Sequence, residues 1–170
     1  MIPDPTDAQA CHQASLRLLQ YRWRSRHELE QKLLRQGFEP AAVAATLERL
    51  ESEKWIDDER FAGEMAASLA RRRHGRLRIE RDLGRFGVDR DVIQRALESA
   101  GEEHDPEEAL AALCRRRIEI LQSRHGNDYV RGEVGRGKLT RYLMSRGYDG
   151  WAVADIVEKQ LRPSPDWTND

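Results

Sequence analysis

A chain of 170 residues with 39% hydrophobic and 35% charged residues has room for one ordinary domain or several very small ones. Its net charge of −1 excludes a global field favouring nucleic acid or acidic partners, so any such preference must come from local segregation of charge. Aromatics amount to only 6%, while the strong helix formers Ala, Leu, Arg and Glu dominate; this predicts an all-α protein.

The first expected helix carries an apolar stripe of Leu16, Leu19 and Trp23. Ser25 and Glu28 then have the spacing of a capping box and open a second helix. Leu29 and Leu33, four apart, share one face of it. It stops at Gly37, which can take the left-handed conformation that ends helices, and Phe38 is placed to pack back on the last turn. Glu39 stands at the next N-cap position and Pro40 at the first helical position, ahead of Val43 and Leu47. Trp55 ends that third helix.

The same pattern returns twice. Leu29, Ile79 and Leu139 correspond, as do Leu33, Leu83 and Leu143, then Gly37, Gly87 and Gly147, then Phe38, Val88 and Tyr148. An acid follows at Glu39, Asp89 and Asp149, and then Val43, Ile93 and Val153, with Leu47, Leu97 and Val157 last. Upstream of the second pair, Phe61, Met65 and Leu69 make a long-helix stripe. Upstream of the third, Asp105, Pro106 and Glu108 mark a helix start. There Leu110, Cys114, Ile118 and Leu121 form the stripe, so Cys114 is expected to be a core thiol. The interval between glycines lengthens in the third copy. The additional residues fall in 122–136, which holds Gly126, Gly132 and Gly135 without clear periodicity and is expected to be an enlarged loop.

The organisation expected is three tandem three-helix repeats, over 10–56, 57–102 and 103–162, with a flexible tail over 163–170 that includes Trp167. Single units of this size bury too little surface to stand alone, so the repeats are expected to stack into an elongated, curved array.

Catalytic readings fare poorly. Gly132–Leu139 (GEVGRGKL) nearly matches a phosphate loop, but Leu139 stands where a magnesium-binding hydroxyl is needed, and no apolar strand precedes it. Asp57, Asp58 and Glu59 could suggest a metal site, yet acids at a helix start are explained by capping and the helix dipole. His12, His27, His74, His104 and His125 have no zinc-ligand spacing. Two cysteines, Cys11 and Cys114, make no disulfide framework. No enzyme activity, metal, cofactor or small-molecule substrate is expected. No apolar run reaches the roughly 18 residues of a membrane span, and the N-terminus lacks a signal peptide's basic and apolar regions, so a cytoplasmic location without membrane contact is expected.

The arginines are the sharper signal. Residues 71–90 carry eight Arg against three acids. Arg71, Arg72 and Arg73 end one helix, and Arg76, Arg78, Arg81 and Arg85 follow along the next. Arg115 and Arg116 lie on the long helix of the third copy, where Lys138 and Arg141 take the positions of Arg78 and Arg81. The first copy has Glu28 and Gln31 at those positions. The helix dipole explains basic groups near one helix end but not a repeated stripe, so these eleven residues are expected to form a basic ridge for an acidic or phosphate-bearing partner.

Three runs resemble the RecX family of regulatory proteins. They are Trp55–Ala62 (WIDDERFA), Arg73–Leu83 (RHGRLRIERDL) and Lys138–Tyr148 (KLTRYLMSRGY). The resemblance spans about residues 14–161, with Arg76 where the family usually has proline. It implies a non-enzymatic modulator of the RecA recombinase in homologous recombination, DNA repair and the SOS response. Such proteins bind along the RecA–DNA filament and inhibit its ATPase, strand exchange and coprotease activities. The DNA phosphate backbone is a second candidate partner for the ridge. The alternative is an autonomous DNA-binding protein, because helix–turn–helix readers also pair helices through a glycine turn; a structural adaptor would show neither activity.

Overall fold

The computed structural model describes residues 6–162, and among them every regular element is an α-helix. In chain order these are α1 (Ala8–Leu19), α2 (Arg26–Arg35), α3 (Pro40–Ser52), α4 (Asp58–Arg71), α5 (Arg76–Arg85), α6 (Arg90–Glu103), α7 (Pro106–His125), α8 (Asn127–Arg131), α9 (Glu133–Ser145) and α10 (Gly150–Leu161). The chain divides into two compact units, one formed from the stretches Met1–Ala67 and Glu80–Ser99, the other from Ser68–Ile79 and Ala100–Asp170. The tail expected over 163–170, with Trp167, lies outside the described residues.

In the first unit, Leu29 and Leu33 on α2 and Val43, Leu47 and Leu50 on α3 are essentially inaccessible and pack with Cys11, Phe38 and Ile56. Truncating any of these leucines to Ala would cost about 2–5 kcal/mol. Gly37 turns the corner with φ 93°. Its N–H donates to the Leu34 carbonyl (3.0 Å) and the Phe38 N–H to that of Leu33 (3.3 Å), the Schellman pattern that brings Phe38 back onto the core. Gly87 and Gly147 take φ 69° and 90° at the matching corners of α5 and α9. Asp89 and Asp149 cap the following helices, accepting from the Asp91 and Trp151 N–H groups at 2.8 Å, whereas Glu39 makes no side-chain cap.

Details of the first helix differ from expectation. α1 ends at Leu19, so Trp23 is not on its stripe; it lies beyond the helix, 37% exposed, beneath the Arg60 guanidinium at 4.3 Å. The buried residues of α1 are Cys11, His12 and Ser15, with Cys11 and Ser15 fully inaccessible and Leu16 and Leu19 half-buried beside them. Small residues are what let α1 approach α2 and α3, and a rule that follows large apolar residues points to the neighbouring face. The capping box is half formed: Ser25 accepts from the Glu28 N–H (3.1 Å), but the Glu28 carboxylate turns to Arg22 and to the buried Arg24 (2.5 Å).

In the second unit, Leu110, Leu113, Cys114, Ile118 and Leu121 of α7 meet Leu139 and Leu143 of α9 and Val153, Val157 and Leu161 of α10. Cys114 is fully buried, and burial pushes its thiol up to about 11. The enlarged loop expected over 122–136 is instead largely helical. α7 continues to His125, α8 occupies Asn127–Arg131, and α9 begins at Glu133, leaving Gly126 and Gly132 as breaks between helices. The periodicity is hidden because α8 is too short to show one, yet it inserts Val130 (0% exposed) into the core. Gly135 serves close packing: a Cβ there would fall 2.2 Å from the Tyr129 carbonyl oxygen.

No helix among the described residues is long and apolar enough to cross a membrane.

Candidate functional site

The starts of α2 and α5 are each held by a glycine corner further along the chain. In the first unit, the Ser25 hydroxyl donates to the Phe86 carbonyl, and Gly87 lies against His27 with no room for a Cβ. In the second, the Gly75 N–H donates to the Arg146 carbonyl (2.9 Å) and the Leu77 N–H to the Gly147 carbonyl (3.1 Å). Ser25 and Gly75 occupy the same position, twelve residues before Gly37 and Gly87. The α9 corner thereby satisfies N–H groups that the first turn of α5 leaves without a helical acceptor.

This docking fixes the surroundings of Arg71, Arg72 and Arg73. All three are exposed at the end of α4. Arg73 takes φ 56°, a left-handed conformation that costs about 1–2 kcal/mol for a residue bearing a Cβ. The Arg146 guanidinium donates through Nη2 to the Arg72 carbonyl. From α7 come Arg116 and Arg117, the latter stacked on the Tyr142 ring at 4.7 Å. The six arginines, with Leu113, Ile120 and Tyr142, line a cleft of about 530 Å³. Among the described residues no carboxylate belongs to its lining. Among the described residues the Nε–H groups of Arg117 and Arg146 are buried without an acceptor. Burial raises the Tyr148 phenol above its ordinary range, and the charges of Arg146 and Arg73 partly offset that rise.

The eleven ridge residues therefore do not all converge. Arg71, Arg72, Arg73 and Arg116 share the cleft. Arg115 points elsewhere, to Glu108 at 2.7 Å. Lys138 sits over the Tyr129 ring at 5.3 Å, and Arg141 is exposed on α9 outside the cleft lining. Arg76 and Arg78 lie on the first turn of α5, in the second unit, whereas Arg81 and Arg85 belong to the first unit, Arg85 lying 3.8 Å from Asp82. Arg117 and Arg146 were not legible as site residues. Arg117 stands beside Arg115 and Arg116 in a run of three arginines, and that run is the signal that points to it. Arg146 stands alone beside a corner glycine.

The acids at the start of α4 are each engaged. Asp57 accepts from the Arg60 N–H (2.9 Å), Asp58 from the Arg26 N–H (2.8 Å), and Glu59 pairs with Arg95 (2.7 Å). These are capping and bridging roles.

Comparison with known proteins agrees with this architecture. The first three-helix domain of RecX matches residues 11–50 and the second matches residues 57–97. The regulatory protein RecX of Xanthomonas campestris pv. campestris (strain B100) is 38% identical over 141 residues, covering 83% of this chain and 82% of that protein. That of Chlorobium limicola is 30% identical over 157 residues, covering 92% of each. The crystal structure of RecX from Lactobacillus salivarius superposes with a TM-score of 0.75 at 21% identity, covering 90% of this chain and 96% of that one. A second RecX crystal structure gives 0.74 at 18% identity, over 89% and 71%. The helical repeats, their glycine corners and the extent of these matches place the chain in the RecX family of regulatory proteins.

Proposed function

We propose that this chain is a non-enzymatic regulator that binds the RecA–DNA filament and inhibits its ATPase, strand-exchange and coprotease activities. Membership of a family of regulatory proteins carries the reading. The distribution of charge supports it: arginines concentrate at the end of α4 and the turn after it, on α5 and on α7, while the acids at the start of α4 are used in capping and pairing. In this reading the three repeats, 10–56, 57–102 and 103–162, are a scaffold, and the basic residues meet acidic protein surface or DNA phosphate on the filament, in the cytoplasm.

Co-sedimentation tests it. The chain should pellet with RecA filaments on single-stranded DNA and remain largely in the supernatant with the same DNA alone at physiological salt. Equal, sequence-dependent capture by DNA alone, with a steep salt dependence, would replace filament binding with autonomous DNA binding.

A further inference from the structure

The arginine cleft of the second unit has features that a general basic surface does not need. Six guanidinium groups from α4, the turn after it, α7 and the end of α9 meet in a concavity of about 530 Å³, within the size range of small-ligand sites. Among the described residues no carboxylate lines it, and none of the six is paired with an acid. Several arginines elsewhere are paired with acids: Arg22 and Arg24 with Glu28, Arg26 with Glu51, Arg49 with Glu53, Arg60 with Glu64, Arg95 with Glu59.

Two of the six are held in place. Arg146 is anchored through its donation to the Arg72 carbonyl, and Arg117 by stacking on Tyr142. Each retains a buried Nε–H with no acceptor. Leaving a buried donor unpaired is costly, so such groups call for an explanation, and an anion is the natural one for guanidinium. The dipole at the end of α4 favours cations at Arg71 and Arg72, but it does not reach the arginines of α7.

We infer that this cleft is a binding site for a compact anion of several adjoining phosphates, either the triphosphate chain of a nucleotide or a short inorganic polyphosphate. Guanidinium forks bind phosphate oxygens in pairs, so linked phosphates engage several forks at once, whereas a lone orthophosphate engages few. The site uses no phosphate loop, and it holds whether or not the chain binds RecA.

Calorimetric titration of the full chain at low salt, without magnesium, tests this with tripolyphosphate, ATP and orthophosphate. Tripolyphosphate should bind one to one and at least tenfold more tightly than orthophosphate. The double variant R117Q/R146Q should lose at least tenfold, and so should R71Q/R116Q, whose exposed side chains make substitution safe for folding. R17Q/R35Q, at exposed positions of the first unit outside the basic ridge, should bind like the parent. Tighter binding of ATP than of tripolyphosphate identifies the source as a nucleotide, and equal or weaker binding identifies it as the polyphosphate chain. Unchanged affinity in R71Q/R116Q, or no preference over orthophosphate, would overturn the assignment. So would displacement of tripolyphosphate by a single-stranded oligonucleotide that binds more tightly per phosphate, since the cleft would then be a nucleic-acid contact.

Discussion

Gly147 lies so close to Arg78 that a Cβ on the glycine would fall 2.3 Å from the arginine's own Cβ. Gly37, at the matching corner of α2, has nothing within 4 Å of the same position. Both glycines have positive φ, so both tolerate alanine poorly, but only Gly147 adds a collision.

That difference sets a first expectation. G37A should lower stability by about 1–2 kcal/mol, the left-handed strain alone. G147A should cost about 1–3 kcal/mol more, the price of overpacking a tight contact. Chemical denaturation of both variants decides it, and equal losses would mean the α5–α9 contact yields without cost.

Arg73 combines left-handed backbone with a place in the cleft. Arg73→Gly should therefore gain stability, by up to about 1 kcal/mol, as the Cβ strain is relieved. It should also weaken whatever the cleft binds. Thermal melts and ligand titrations on one preparation check both, and a loss of stability would show that the side chain supports the fold.

Arg115 and Arg116 are adjacent, yet one pairs with Glu108 and the other lines the cleft. Charge reversal at Arg116 should weaken filament binding more than reversal at Arg115, read by co-sedimentation with RecA on single-stranded DNA. The opposite order would shift the partner surface to the outer side of α7.

Cys114 is fully buried with its thiol pushed up to about 11, above the ordinary 9.0, and Cys11 is buried as well with its thiol also raised. Neither should react with a disulfide-exchange reagent near pH 8 in the native protein, and both should react on denaturation. The raised thiol favours the protonated fold. Its contribution is complete below pH 9 and is lost as pH climbs toward 11, so stability should fall over that window. Replacing Cys114 with Ala should flatten this slope, at the cost of a small cavity. Fast labelling of the native protein would contradict the burial.

The scaffold was largely legible because its rules are local. A glycine with an apolar residue after it, leucines four apart and an acid at an N-cap each leave a mark at fixed spacing, and α2, α5 and α9 each end where those marks predict. The errors share a cause. α1 buries small residues, Cys11 and Ser15, and α8 is one short helix that joins the core through Val130; neither displays the large apolar stripe that periodicity detects. The site was only partly legible because its arginines come from separate elements. Charge runs pointed to Arg71–Arg73 and Arg116, but Arg146 reaches the cleft only because α9 docks its corner on α5, a tertiary contact without a sequence signature.

Regulation of RecA is tested most directly by RecA's DNA-dependent ATP hydrolysis as the chain is titrated in, under conditions where filaments form. Substoichiometric protein should slow hydrolysis, and the triple charge reversal at Arg78, Arg81 and Arg85 should blunt the effect while the protein stays folded. An unchanged rate at equimolar protein would contradict the account.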